Sequence, residues 1–151
     1  MQPHPDFADV ELPRQFTLGA YHLTPLSPDF VDEDFEAVMA SADVVTGIFG
    51  TWPEGLTRDS NLIDLAWHER EFIARRSFSW ILRDGAGVYI GCFYLNPDIG
   101  TRGCAEAAMW LCDIPDRMDV AHTLKADLTT WMTQTVPSGI DVRWLTRPVL
   151  A

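Results

Sequence analysis

The stretch that decides the fold is GVYIGCFYLNPDIGTRGCAEAAMWLCDIPDRMD, residues 87–119. GVYIGCFYLNP is apolar on both faces, as expected of a central strand covered on both sides. A glycine-bearing turn follows, and then CAEAAMWLCDI, a second strand of the same kind broken by one carboxylate, Glu106. This segment stops at Pro115 and the acids around it. Just upstream, SFSWILRD sets Phe78, Trp80 and Leu82 on one face and ends at Asp84-Gly85, a hairpin signal. Three strands joined by short turns make an antiparallel meander.

Helical spacing takes over on either side of the meander. Downstream, Asp116 or Asp119 opens a helix with Val120, Leu124, Leu128, Trp131 and Met132 on one stripe; Pro137 and Gly139 end it. IDVRWL is then a last strand. Upstream, Leu62, Leu65, Ala66, Glu69, Phe72 and Ile73 recur at helical spacing after a cap at Asp59 or Ser60. GIFGTWPEGL, residues 47–56, holds three glycines and a proline and reads as a loop. Before it lies a helix with Phe35, Val38, Met39 and Ala42 inward and Asp32, Glu33, Asp34 and Glu36 on its other face. QFTLGAYHL, residues 15–23, alternates as a first strand. Residues 1–13, with three prolines, are expected to be a loosely ordered lead-in to a single domain over 14–151. The order is strand, two helices, three strands, helix, strand. It predicts an α/β (α+β) fold, with a mixed, largely antiparallel sheet and helices on both faces.

Composition narrows the function classes. The chain has 151 residues, 47% of them hydrophobic and 22% charged, enough for one well-formed core. No apolar run approaches the roughly 20 residues that span a bilayer. The N-terminus shows no secretory pattern, so a cytoplasmic location is expected. The net charge of −11 repels phosphate backbones and anionic lipid, which argues against nucleic-acid and membrane partners. It suits a cationic substrate such as an amine. Cys92, Cys104 and Cys112 form an odd set without a CxxC pair, which speaks against a disulfide framework and a cysteine-based zinc site.

The order of elements, together with LTPLSPDF and its acidic helix, LAWHEREFIARRSFSWILRD, the Ile-Gly-x-x-x-Leu pattern in VYIGCFYLNP, and AEAAMWL, resembles the GCN5-related N-acetyltransferase superfamily. The resemblance runs over about residues 14–147. It implies that AEAAMWL splays from its neighbour and offers backbone groups to the pantetheine of acetyl-CoA or another acyl-CoA. The cofactor would then lie along Trp110, Leu111 and Cys112 and at the next helix start, Arg117 and Met118. The family's glycine-rich pyrophosphate loop is replaced here by CDIPDRMDVAH. Pro115 removes an amide donor, and Asp113, Asp116 and Asp119 set negative charge where the anion would sit. Arg117 is the residue that could attract a phosphate. The family's final helix and last two strands have no counterpart, so the fold is read as shortened at its C-terminal end.

In the family a glutamate near Glu106 acts as general base through water, and Glu106 is the catalytic candidate, expected to be mostly buried in a cleft. The competing reading pairs it with Arg102 or leaves it in solvent. Trp52, in the glycine-rich loop, is a candidate wall of the acceptor pocket or else a lid over the core. His68 is a candidate substrate contact or a surface residue on a helix flank beside Glu71. Cys112 has only acids nearby to activate it and reads as a buried structural thiol. Two functions follow: acyl transfer to a small-molecule amine, or a non-catalytic binding module descended from the same fold. The last strand leaves Val142, Trp144 and Leu145 near a sheet edge, which predicts a homodimer through that edge or else an N-terminal segment folded over Trp144.

Overall fold

The computed structural model describes residues 1–145. The chain forms β1 (Phe16–Leu18), β2 (Tyr21–Pro25), α1 (Val31–Ala40), α2 (Ala42–Val45), α3 (Arg58–Ile73), β3 (Phe78–Arg83), β4 (Tyr89–Pro97), β5 (Cys104–Leu111), α4 (Arg117–Thr135) and β6 (Asp141–Trp144). The six strands lie in chain order in one sheet. Every neighbouring pair is antiparallel except β5 and β6, which are parallel and joined by the crossover helix α4. The mixed, largely antiparallel sheet with helices on both faces is therefore present.

The sheet separates two apolar layers. On one side Trp80, Phe93, Met109 and Leu111 pack with Leu124, Leu128 and Met132 of α4. On the other, Ile81, Tyr89, Cys92 and Trp110 pack with Val31 and Val38 of α1 and Leu65 of α3. Both faces of β4 and β5 are buried, which is why neither strand shows an alternating pattern. Gly91 has a specific role in this pairing. It stands opposite Leu111, and a Cβ there would sit on the Trp110 carbonyl oxygen, with Leu111 Cα at 3.0 Å. The close approach of β4 to β5 needs a residue without a side chain.

Four expectations are corrected. Residues 15–23 are not one strand but a hairpin, because Gly19, at φ +59, turns the chain between Leu18 and Tyr21. Residues 1–13 are not loose. Phe7 is 0% exposed within the core, and Leu12 is buried with it. Polar ties hold the segment down: His4 Nε2 bonds the Asp98 carbonyl at 2.8 Å, and the Asp6 carboxylate takes Arg102 Nε and the Gly103 amide. The Trp80 indole donates to the Pro13 carbonyl at 2.9 Å. α3 is capped by Thr57, reciprocally with Ser60, rather than by Asp59 or Ser60. Finally, Trp144 needs no partner copy or N-terminal cover. Its ring packs on Phe93 and its Nε1 donates to Thr129 Oγ1 of α4 at 2.9 Å. The dimer expectation loses the uncovered Trp144 as a reason, while β6 remains the edge strand; Arg147 and Pro148, expected to blunt the edge, lie outside the described residues.

Candidate functional site

A cleft of about 810 Å³ opens on the α1/α3 side of the sheet. Its floor is the ring face of β4 and β5, Tyr94 and Trp110, and its upper wall is the loop carrying Phe49 and Trp52. The rings are in contact, with centroids 5.7 Å apart for Trp52 and Trp110 and 5.7 Å for Phe49 and Tyr94. Trp110 Nε1 donates to the Tyr94 hydroxyl at 3.1 Å, so the floor is held rigid by its own polar bond. Trp52 is thus both wall and packing element. The opposite side is one face of α3. Asn61, Asp64, Leu65, His68 and Glu71 follow at three- and four-residue spacing, and all line the cleft.

Asp34 is the carboxylate at the inner end. Its place on α1, three residues after Val31 and four before Val38, puts it on the inward face with those two buried residues. It is not on the solvent face with Asp32 and Glu33, as the sequence reading had it. It is 4% exposed. Asn61 Nδ2 donates to Oδ2 at 2.7 Å, and the Tyr89 hydroxyl donates to Oδ1 at 2.5 Å. Burial raises its pKa above the usual carboxylate range, and these two bonds only partly oppose that. Behind it, the Tyr89 hydroxyl and Cys92 Sγ are 3.0 Å apart. Burial pushes Tyr89, Cys92 and Tyr94 well up, so these groups stay neutral.

The residues singled out by sequence fall into three places. Trp52 and His68 line the cleft together with Trp110. His68 Nε2 lies 3.5 Å from the Asp64 carboxylate, and its ring faces Tyr94. Trp110, Leu111, Cys112, Arg117 and Met118 gather where β5 runs into α4. β6 runs parallel to the first half of β5, and the Leu145 amide, at the end of the described residues, donates to the Ala107 carbonyl at 2.7 Å. Arg117 Nε donates to the Leu111 carbonyl at 3.1 Å, Met118 is 36% exposed, and α4 begins behind Asp116 in the left-handed region. Cys112 is buried, and burial raises its thiol pKa, as expected of a structural cysteine.

Glu106 is in the third place. Side-chain alternation puts it on the cleft face of β5 with Ala108 and Trp110, directly opposite Asn96, which lines the cleft. It is half-buried and does not itself line the cleft, so the expected mostly buried position is not met. Nor is it locked to Arg102, whose guanidinium is bound to Asp6. On its other side Glu106 is paired with Arg143 of β6.

Asp34, Asn61, Tyr89 and Tyr94 were missed by the sequence reading. Asp34 had a signal: it interrupts the Val31–Val38 stripe at helical spacing. Among the described residues no group of His, Cys, Asp and Glu side chains is placed to hold a metal, and no helix is long and apolar enough to cross a membrane.

No family model and no curated protein sequence matches the chain. Solved structures do. A protein from Vibrio cholerae assigned as a ribosomal-protein-serine acetyltransferase superposes with a TM-score of 0.69 at 11% identity, over 89% of this chain and 74% of that one. A ribosomal L7/L12 alpha-N-protein acetyltransferase in complex with coenzyme A gives 0.66 at 12%, over 83% and 70%. The microcin C7 self-immunity acetyltransferase in complex with acetyl-CoA and AMP gives 0.65 at 11%, over 83% and 71%. At these identities the likeness is one of fold, and the fold is that of the GCN5-related N-acetyltransferases.

Proposed function

We propose that a chain with this acetyltransferase fold moves an acyl group from acyl-CoA to the nitrogen of a small-molecule amine. The observation that carries the reading is the cleft on the α1/α3 side of the sheet, where Trp52 and His68 line the same space as Trp110 of β5, the strand that runs on into α4. Strand peptide groups hydrogen-bond an extended amide chain, and pantetheine is such a chain. In this reading it lies along Trp110, Leu111 and Cys112, with Arg117 and Met118 where the chain enters α4.

The thioester supplies the electrophilic carbonyl. The amine lone pair forms the new C–N bond, the C–S bond breaks, and the sulfur leaves as a thiolate that takes a proton from water. The nitrogen sheds one proton to a base. Glu106, half-buried at the rim on the cleft face of β5, takes that proton through water. Of the strand amides near Leu111 and Cys112, the Cys112 amide already donates to the Ile90 carbonyl at 2.8 Å, so the Leu111 amide is the one that steadies the charge developing on the carbonyl oxygen. Trp52 and His68 line the acceptor side.

One observation favours a non-catalytic binding module instead. The start of α4 carries Pro115 and Asp116 where a phosphate cradle needs amides and no negative charge. Both readings face the same assay, release of free CoA thiol from acetyl-CoA on addition of amines. Transfer predicts amine-dependent release that falls about 100-fold or more in Glu106→Gln. Binding of CoA and amine without any release would leave the binding module.

A further inference from the structure

Asp34 is a buried carboxyl group that makes no ion pair among the described residues. The cationic side chains of the cleft are already committed, Arg76 to Glu71 at 3.2 Å and Arg102 to Asp6. None of the ion pairs among the described residues includes Asp34. Its two hydrogen-bond donors, Asn61 and Tyr89, are neutral. Asp64 on α3 adds a second negative charge nearby, opposed only by His68. A carboxylate taken out of water with neutral partners alone is costly, and a cation brought beside it offsets that cost. Here the carboxylate lines an open cleft rather than solid core, so a ligand can bring that cation.

The rest of the cleft says what the cation is attached to. Phe49, Trp52, Tyr94 and Trp110 form a continuous aromatic lining with ring centroids 5.7–5.8 Å apart. Such rings accept flat or branched apolar bodies, and their faces attract positive charge. A long hydrophilic polyamine would leave this lining unfilled.

We infer that the cleft selects an ammonium carried on an aromatic or branched apolar frame, with Asp34 as the counter-charge that determines specificity and Trp52 and Trp110 clasping the frame. The inference rests on the cleft being the acceptor site of the proposed transferase. Its test is binding rather than turnover, so the two can fail separately.

The test is calorimetry on the full chain, without acyl-CoA, using 2-phenylethylamine and its neutral isostere 2-phenylethanol. The amine should bind at least about tenfold more tightly than the alcohol, since a hydrogen bond to a charged group outweighs a neutral one. In Asp34→Asn that preference should vanish while alcohol affinity stays within about twofold, which also reports that the cleft is intact. Trp52→Ala should weaken both ligands alike. Equal affinity of the two ligands for the unaltered protein overturns the inference without any variant. So does a preference that survives in Asp34→Asn. Acyl transfer to an alanine tripeptide amide, with no binding of 2-phenylethylamine, would overturn it while leaving the transferase reading in place. Binding of 2-phenylethylamine with the expected preference but no thiol release would do the reverse.

Discussion

Phe7→Ala measures whether the first thirteen residues belong to the fold. The ring is 0% exposed and packs against Phe78 with centroids 5.2 Å apart, next to the Phe72 and Trp80 rings. Truncation removes the ring's transfer free energy and leaves a hole that the stacked aromatics of β3 cannot fill by rotating. Phe→Ala changes at such sites cost about 3–5 kcal/mol. For a domain of this size each kcal/mol lowers the melting temperature by about 2–4 °C, so Tm should fall by roughly 6–20 °C. The ties at His4, Asp6 and Ala8 make the upper half of that range the better expectation, because the segment loosens when its deepest anchor goes. Urea unfolding followed by tryptophan fluorescence gives the free energy directly, since Trp80 donates to the Pro13 carbonyl and senses the same region. A loss below about 1 kcal/mol, the scale of a surface substitution, would refute the docking of this segment.

Gly91→Ala should cost about 1–3 kcal/mol or more, because its Cβ would strike the Trp110 carbonyl; an unchanged urea midpoint would mean that β4 and β5 are not paired in this register. Asp34 should give an inverted pH dependence. Its folded pKa is raised, so between about 3.9 and that raised value the folded state holds a proton that the unfolded state has released, and stability falls as pH rises. Urea midpoints from pH 4 to 8 should show the unaltered protein losing ground to Asp34→Asn as pH increases; parallel curves would contradict this. Burial raises the thiols of Cys92 and Cys112, so both should resist a thiol reagent at neutral pH until the chain unfolds, and rapid labelling of either in the native protein would be inconsistent with their positions.

The meander and the crossover helix were legible because both faces of residues 89–97 and 104–111 are apolar and α4 keeps Leu124, Leu128 and Met132 on one buried stripe. The hairpin at Gly19 was not, since Phe16, Leu18, Ala20 and His22 alternate straight through the turn and periodicity does not sense a reversal. The N-terminal segment misled because its prolines suggest looseness. What fixes it is the burial of Phe7 and Leu12 together with contacts to Asp98, Arg102 and Gly103, some ninety residues away in sequence. At the site, Trp52, His68 and Trp110 do meet in one cleft. Asp34 was read by charge and placed in solvent; the register of Val31 and Val38 places it inside. Glu106 was read by its apolar neighbours and placed in the cleft, whereas it is half-buried between Asn96 of β4 and Arg143 of β6 and does not line the cleft. In both cases the residue's place along its element outweighed its chemical type.

The most direct measurement is thermal unfolding with and without acetyl-CoA. Binding of acetyl-CoA along β5 at about 100 times the dissociation constant should add about 2.7 kcal/mol of stability. For a chain of 151 residues that is a rise in Tm of roughly 5–11 °C, and Asp116→Asn, which keeps a residue tolerant of the left-handed conformation while removing a charge at the start of α4, should enlarge it. No shift at millimolar acetyl-CoA, in either protein, would contradict acyl-CoA binding along β5 and the start of α4.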